Sequence, residues 1–259
     1  MKTQNQVVLV TTTFYRSLDE TRFSLALEMT MRAQLHGYPL IIVDGSPVSM
    51  IAEELTAYGA IVYRQQTKGI GPSRREAYFY ALEYCKTHSD CRVVQWLEPE
   101  KHGMLRFIKV ITAPIISGEA DVVIATRSAA SRETYPVFQQ ETEAYANKVY
   151  MEATGLNVPD VMVGPVAFSI QAVGKYLVLM NPADYGVEDT YIQGYAPILA
   201  HRDGLRVIAS PELDFQYPPM QRVEEESTLS EEMMQKRIWQ RDALCDAFRK
   251  LGALNSERR

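Results

Sequence analysis

Short apolar runs rich in β-branched residues alternate with longer helix-like segments throughout the first half of the chain. The runs have the length and composition of buried strands. They lie at residues 7–12, 40–43, 60–64, 93–97 and 121–126. Alternation of this kind predicts an α/β fold, in which a mainly parallel, twisted sheet is flanked by helices on both faces.

Residues typical of helix ends occur between these strands and predict where the helices begin and end. Ser17 and Glu20 have the spacing of a capping box and predict a helix that extends to about Leu35. Pro72 suits the first turn of another helix. The remaining helices are predicted at 50–58, 72–86, 104–117, 138–153 and 173–179, and two further strands at 161–169 and 206–209.

A charged amphipathic helix is predicted near the C-terminal end, over about 229–252, with Trp239 packed inward. We therefore expect a main domain over 1–225 and a C-terminal helical extension over 226–259. Such a helix can pack on its own domain or on a partner subunit, so a homo-oligomer is one of the expected states.

Composition and charge exclude several classes of protein. The 259 residues are 46 % hydrophobic, as in ordinary globular domains, and the net charge of -5 argues against a nucleic-acid partner. No stretch approaches the roughly 20 apolar residues of a membrane span, and the polar N-terminus does not match a signal peptide. We expect a cytoplasmic protein without an integral membrane segment, in which Cys85, Cys91 and Cys245 are free thiols.

Polar residues follow several of the predicted strands, at the edge where open α/β sheets bind their ligands. Thr13 and Tyr15 follow the first strand, and Asp44 ends the second. A carboxylate at the position of Asp44 can accept hydrogen bonds from a ribose or from the imide of a base. An aspartate before glycine is equally typical of a turn, so both interpretations of Asp44 remain open.

A glycine-containing loop precedes one predicted helix. Gly69 and Gly71 allow a phosphate to approach the helix N-terminus, and Arg74 and Arg75 could neutralise a diphosphate. On these residues alone, a helix-initiating loop with surface arginines is the better interpretation.

Two acidic pairs could carry chemistry. Glu98 and Glu100 follow a buried strand and could coordinate a hard divalent cation together with phosphate oxygens. Glu188 and Asp189 precede a helix and could include a general base. Exposed glutamates around a turn proline and acidic helix capping are the structural alternatives.

The order of these motifs resembles that in the family-two glycosyltransferases of GT-A fold, including the polyprenyl-phosphate mannosyltransferase branch. That family has an aromatic turn after its first strand, an Asp-Gly-Ser turn after its second, a glycine loop with an arginine, and a Leu-Asp-x-Asp metal motif. The matching segments here are Thr12-Thr13-Phe14-Tyr15, Asp44-Gly45-Ser46, Gly69 to Arg75 and Leu97-Glu98-Pro99-Glu100. Later matches are Ala120-Asp121-Val122-Val123, Arg127, Asn147, Gly155 to Asp160, Gly164 and Glu188-Asp189.

The resemblance implies a metal-assisted, inverting glycosyltransferase that moves a sugar from a nucleoside-diphosphate donor to an unidentified acceptor hydroxyl. It implies that Asp189, with Glu188, supplies the catalytic base, and that Glu98 and Glu100 bind Mg²⁺ or Mn²⁺. The residues implied for nucleotide-sugar binding are Thr13, Tyr15, Asp44, Gly71, Arg74 and Glu98.

Two departures from the family pattern bear on the metal. Glutamates replace both aspartates of the metal motif, and Lys101 follows where an acid is frequent, so the lysine could itself supply positive charge to phosphates. Two alternative functions therefore remain open. One is a non-catalytic nucleotide-sugar-binding protein, and the other is a sugar-phosphate nucleotidyltransferase.

Overall fold

One mixed sheet organises the computed structural model, which describes residues 3–219 and 231–254. Its strands within those ranges are β1 (Val7–Thr13), β2 (Leu40–Asp44), β3 (Ile61–Arg64), β4 (Val93–Trp96), β5 (Val122–Arg127), β6 (Val166–Ser169) and β7 (Val207–Leu213). Their spatial order is β3-β2-β1-β4-β6-β5-β7. The predicted α/β fold with a mainly parallel sheet is confirmed.

Helices cover both faces of this sheet. They are α1 (Thr21–His36), α2 (Ser49–Ala57), α3 (Ile70–Thr87), α4 (Ile108–Ile116), α5 (Ala129–Glu133), α6 (Val137–Thr154), α7 (Ile170–Val173), α8 (Ile192–Arg202) and α9 (Glu231–Ala253). A 3₁₀ segment, Pro99–Phe107, connects β4 to α4. Within the described ranges, none of these helices combines the length and the apolar character needed to cross a bilayer.

The direction of chain travel across the sheet reverses at β1. Strands β2 and β3 extend the sheet to one side of β1, whereas β4 pairs with its other side, and all four are parallel. Strand β6 is antiparallel to both β4 and β5. Such a reversal opens a crevice at the carboxyl ends of the two strands, which is where ligands bind in folds of this type.

Alternate residues of each buried strand supply the two hydrophobic cores. In β1, Val8 and Val10 contribute to the core under α3, α6, α8 and α9, and Val7 and Leu9 contribute to the core under α1, α2 and α4. All four side chains are at most 1 % exposed. Because both faces are covered, the strands read as continuous apolar runs.

The C-terminal helix α9 belongs to the first of these cores. Leu244, Phe248 and Leu251 are buried, and the Phe248 ring meets Tyr150 of α6 edge-on with a centroid distance of 4.9 Å. The prediction that Trp239 packs inward is wrong, since its side chain is 55 % exposed. Trp239 precedes Leu244 by five positions, which is about 140° around a helix with 3.6 residues per turn and places Trp239 well off the buried stripe.

Gly252 is the point of closest approach between α9 and α6. A Cβ atom at this position would overlap the backbone carbonyl group of Ala153. We expect Gly252→Ala to lower the free energy of unfolding by about 1–3 kcal/mol, because α9 must shift off α6. Gly194→Ala is the control, since its Cβ would lie an ordinary 3.9 Å from Phe248. Urea unfolding that showed equal stability for both variants would contradict the prediction.

Two predicted boundaries are wrong for local reasons. Helix α1 begins at Thr21, after the predicted capping box of Ser17 and Glu20. The Glu20 carboxylate accepts hydrogen bonds from the backbone amides of Arg16 and Ser17, and it therefore stabilises the turn that precedes the helix. The predicted strand over 161–169 is a 3₁₀ turn followed by β6, because Gly164 has a φ of 99° and breaks the extended path.

The expectation of three free thiols is also corrected. Cys85, near the end of α3, and Cys91, just before β4, form a disulfide with their Cα atoms 5.2 Å apart. Their separation of six residues spans a tight turn, which brings the two side chains together. Cys245 of α9 is a buried free thiol.

Candidate functional site

A cleft of about 290 Å³ lies beyond the carboxyl end of β4, where the sheet reverses direction. It is lined by Glu98 and the 3₁₀ segment after β4, and by side chains of α1, α6 and α9. Its charged lining residues are Arg22, Glu98, Glu100, Lys101, Glu143, Lys236 and Arg237. The polar edge predicted from the sequence is therefore a concave, charged surface.

Both predicted metal ligands lie in this cleft, and each contacts a cation of the protein. Glu100 Oε1 lies 3.3 Å from an Arg22 guanidinium nitrogen, and Glu98 Oε2 lies 3.4 Å from Lys101 Nζ. All four side chains are between 19 % and 37 % exposed. The negative charge of each glutamate is therefore balanced by a neighbouring cation of the protein.

This donor set does not form a metal centre as it stands. Across residues 3–219 and 231–254, no three His, Cys, Asp or Glu side chains come together in a group that could hold a metal ion. A metal bound by Glu98 and Glu100 would have to displace Arg22 and would meet the ammonium of Lys101, whose like charge opposes it. The arrangement does not fit the metal role predicted for the two glutamates.

Arg74 is buried beneath the cleft. Its guanidinium carbon lies 5.1 Å from the ring centroids of both Trp96 and Tyr191, and it donates hydrogen bonds to Thr190 and Gln193 of the α8 region. Burial lowers the pKa of Arg74, and the charge of nearby Glu98 counters that shift. Arg74, which was predicted to bind a diphosphate, therefore lies at the bottom of the cleft, where its hydrogen bonds connect α3 to the start of α8.

Asp44 lies at the centre of a buried network at the ends of β1 and β2. Its Oδ1 accepts hydrogen bonds from the Thr13 hydroxyl at 2.9 Å and from Ser46, and its Oδ2 pairs with Arg64. Asp44 is fully buried. These contacts connect the ends of β1 and β2 and stabilise the loops that follow them. They agree with the interpretation of Asp44 as a turn-forming residue.

The aromatic turn after β1 presents Phe14 to solvent and not Tyr15. The Phe14 side chain is 60 % exposed, whereas Tyr15 is 5 % exposed and meets Phe23 at a centroid distance of 5.8 Å. Burial and the charge of Glu100 raise the pKa of the Tyr15 hydroxyl well above its usual value. Tyr15 therefore supports the cleft, and Phe14 is the residue at this turn that can stack on a planar ligand.

Asp189 lies beside the glycine loop at the start of α3. Both of its carboxylate oxygens pair with Arg75, and its backbone carbonyl accepts a hydrogen bond from the Gly71 amide at 3.1 Å. A Cβ atom on Gly71 would overlap Asp189, which explains the need for glycine. Asp189 is not part of the cleft lining, although Tyr191, two residues later, is. Glu188 is exposed.

A second charged network lies at the border of the cleft, and its central pair, Arg127 and Asp160, had no predicted catalytic or binding role. Arg127 donates hydrogen bonds to Asp160 from its backbone and its side chain, and to Glu143 at 2.6 Å, while Tyr135 covers its guanidinium. Burial alone lowers the pKa of Arg127, but Asp160 and Glu143 raise it overall. The available signal was the match of Arg127, Asn147 and Asp160 to the family pattern.

Comparison with known protein families and with curated proteins finds no match to the sequence. Solved structures are similar to it. Glucosyl-3-phosphoglycerate synthase from Mycobacterium tuberculosis, in complex with Mn²⁺, UDP and phosphoglyceric acid, is 14 % identical and gives a TM-score of 0.51 over 91 % of this chain and 78 % of that one. Its complex with Mn²⁺, UDP-glucose and glycerol 3-phosphate gives 12 % identity and a TM-score of 0.50, over 91 % and 79 %.

Mannosyl-3-phosphoglycerate synthase from Rubrobacter xylanophilus is 12 % identical, with a TM-score of 0.51 over 92 % of this chain and 72 % of that one. Identities this low establish the fold alone. The chain has the GT-A fold of nucleotide-diphospho-sugar transferases.

Proposed function

We propose that this chain is a glycosyltransferase that moves a sugar from a nucleoside-diphosphate donor to an acceptor hydroxyl. The observation that carries the proposal is the charged cleft at the point where the sheet reverses, with cations supplied by α1, by the segment after β4 and by α9. The fold is shared with enzymes whose structures contain UDP or UDP-glucose. A diphosphate ligand suits cations that converge on one cleft.

The nucleoside would bind over the loops that follow β1 and β2. Phe14 offers an exposed ring, and it lies beside Gly45, where a Cβ atom would be 3.5 Å from the ring and would overlap the Gln65 amide. Glycine at position 45 makes room for the Gln65 amide, and the exposed Phe14 ring beside it offers a surface for a flat base. Thr13 and Asp44 would hold these loops in place through their buried hydrogen bonds.

The reaction would be an in-line displacement at the anomeric carbon of the sugar. The acceptor oxygen forms the new bond to that carbon as its bond to the diphosphate oxygen breaks, and both electrons of that bond leave with the nucleoside diphosphate. We assign the acceptor proton to Asp189, at the start of the α8 region, as general base. Arg75 holds that carboxylate in one orientation.

A panel of UDP-, GDP-, ADP- and CDP-linked sugars tests the proposal. We expect at least one donor to raise the midpoint of thermal unfolding and to release its nucleotide when an acceptor is present. Phosphoglyceric acid and glycerol 3-phosphate belong among the acceptors, because the similar structures contain them. Binding without turnover would indicate a non-catalytic binding protein, and pyrophosphate release from a nucleoside triphosphate would indicate a nucleotidyltransferase.

A matched pair of variants connects the activity with the cleft. Glu98→Gln is expected to lower kcat/KM by about tenfold or more, because the carboxylate positions Lys101 and lies near Arg74. Glu119→Gln removes an exposed acid that follows α4 and precedes β5, at the opposite edge of the sheet, and is expected to keep full activity. Equal activity of the two variants would place the active site elsewhere.

A further inference from the structure

Lys101 is held where a divalent cation would otherwise be expected to act. Its ammonium lies 3.4 Å from Glu98 Oε2, and the side chain is 20 % exposed. Lys101 directly follows Glu100 in the 3₁₀ segment Pro99–Phe107, so the short helix holds the lysine beside both glutamates.

The backbone of Gly164 keeps Lys101 and Glu98 in this position. Gly164 has a φ of 99°, and a Cβ atom there would lie 2.7 Å from Lys101 Nζ and would overlap the Glu98 carboxylate. The positive φ favours glycine at this position, and the missing side chain lets the main chain lie close to the ion pair. The site is therefore built around the lysine and its glutamate partner.

Lys101 retains hydrogen-bonding capacity for a ligand. An ammonium group has three N–H donors, and the contact with Glu98 uses at most one of them. Among the described residues, the buried Glu98 Oε2 has no hydrogen-bond partner of normal geometry, so its contact with Lys101 is an ion pair and not a short hydrogen bond. An anion in the cleft could bind the ammonium without breaking the pair.

Helix α9 supplies further positive charge to the cleft. Lys236 and Arg237 line the same cleft as Lys101, in a chain whose net charge is -5. One of the facing carboxylates, Glu143, is bound to the buried Arg127. The cleft is therefore locally cationic, and a diphosphate matches it in charge and in its need for several N–H donors.

We propose that this chain binds the diphosphate of its donor without a divalent cation, through Lys101 together with Lys236 and Arg237 of α9. The inference rests on the proposed function and deepens it. When the bond between the sugar carbon and the diphosphate oxygen breaks, that oxygen keeps the electron pair, and the Lys101 ammonium stabilises the added negative charge.

Calorimetric titration with UDP, GDP, ADP and CDP tests this inference on the full chain, in EDTA and again in Mn²⁺. We expect the diphosphate that binds best to show dissociation constants within about threefold in the two buffers. Lys101→Gln should weaken its binding in EDTA by about tenfold or more, and Lys101→Arg should restore part of it. Lys86→Gln is the control, because its exposed pair with Glu83 lies at the opposite edge of the sheet.

The outcomes separate the two proposals. Binding that requires Mn²⁺, or binding in EDTA that Lys101→Gln leaves unchanged, overturns the inference but not the glycosyltransferase proposal. Absence of binding in both buffers contradicts the glycosyltransferase proposal and the inference with it. Thermal unfolding of each variant shows whether it is folded, and the gain from Lys101→Gln to Lys101→Arg measures the charge at this position in a folded protein.

Discussion

Asp189→Asn is expected to lower kcat by about 10²-fold or more while changing the KM for the donor much less. The asparagine keeps the size of the side chain and the Gly71 contact, which uses the backbone carbonyl of residue 189. It removes the charge that accepts the acceptor's proton. Pre-steady-state and steady-state rates with the donor and acceptor found in the panel give the measurement.

Arg75 provides the control for this experiment, because it pairs with both oxygens of Asp189. If Asp189 is the general base, Arg75→Gln should cost about tenfold, since the carboxylate remains but loses its orientation. If Asp189 only anchors Arg75, the two single variants and the double variant should all lose the same activity. That equality, or near-normal turnover of Asp189→Asn, would remove Asp189 from the base role.

Asp160→Ala is expected to lower the free energy of unfolding by about 3–5 kcal/mol. Asp160 is fully buried, and Arg127, its partner at 2.7 Å, is 1 % exposed. Loss of the carboxylate leaves the guanidinium inside the protein with less compensation, and the backbone amide of Arg127 loses its acceptor as well. Urea unfolding monitored by circular dichroism measures the change.

Asp246→Ala is the matched control for that measurement. Asp246 also pairs with a cation, Lys250 at 2.8 Å, but on the exposed face of α9 where its side chain is 62 % accessible. Exposed pairs at this spacing contribute about 0.3–0.5 kcal/mol. A double variant, Arg127→Met with Asp160→Ala, should be less destabilised than the sum of its parts, because no lone buried guanidinium remains. A loss from Asp160→Ala no larger than that from Asp246→Ala would contradict the prediction.

Strand positions were predictable from local pattern, because a strand buried on both faces requires a continuous apolar run. The runs at 7–12, 40–43, 60–64, 93–97 and 121–126 all became strands of the sheet, with ends that differ by one residue from β1, β2, β3, β4 and β5. Local pattern failed at 161–169, where the conformation of Gly164 delays the start of the strand to Val166. It also failed for Trp239, because the burial of that side chain depends on which face of α9 packs against α6.

Side-chain partners were not predictable, because they are distant in the sequence. Glu100 meets Arg22 across 78 residues, and Asp189 meets Arg75 across 114. The sequence showed acids with plausible spacing for a metal and a base, but spacing does not reveal which cations face them. Which of the two aromatic residues after β1 is exposed, Phe14 or Tyr15, was not predictable either, since it depends on the conformation of the turn.

The sequence by itself determined the α/β class, the mainly parallel sheet and the edge at which polar residues gather, because each follows from the periodicity of burial along the chain. Only the tertiary structure decided the chemistry of that edge. It placed Lys101 against Glu98, Arg22 against Glu100, and Lys236 of α9 in the same cleft. The physical reason is that electrostatic energy depends on distance in space, and the folded chain alone sets the distances between its charges.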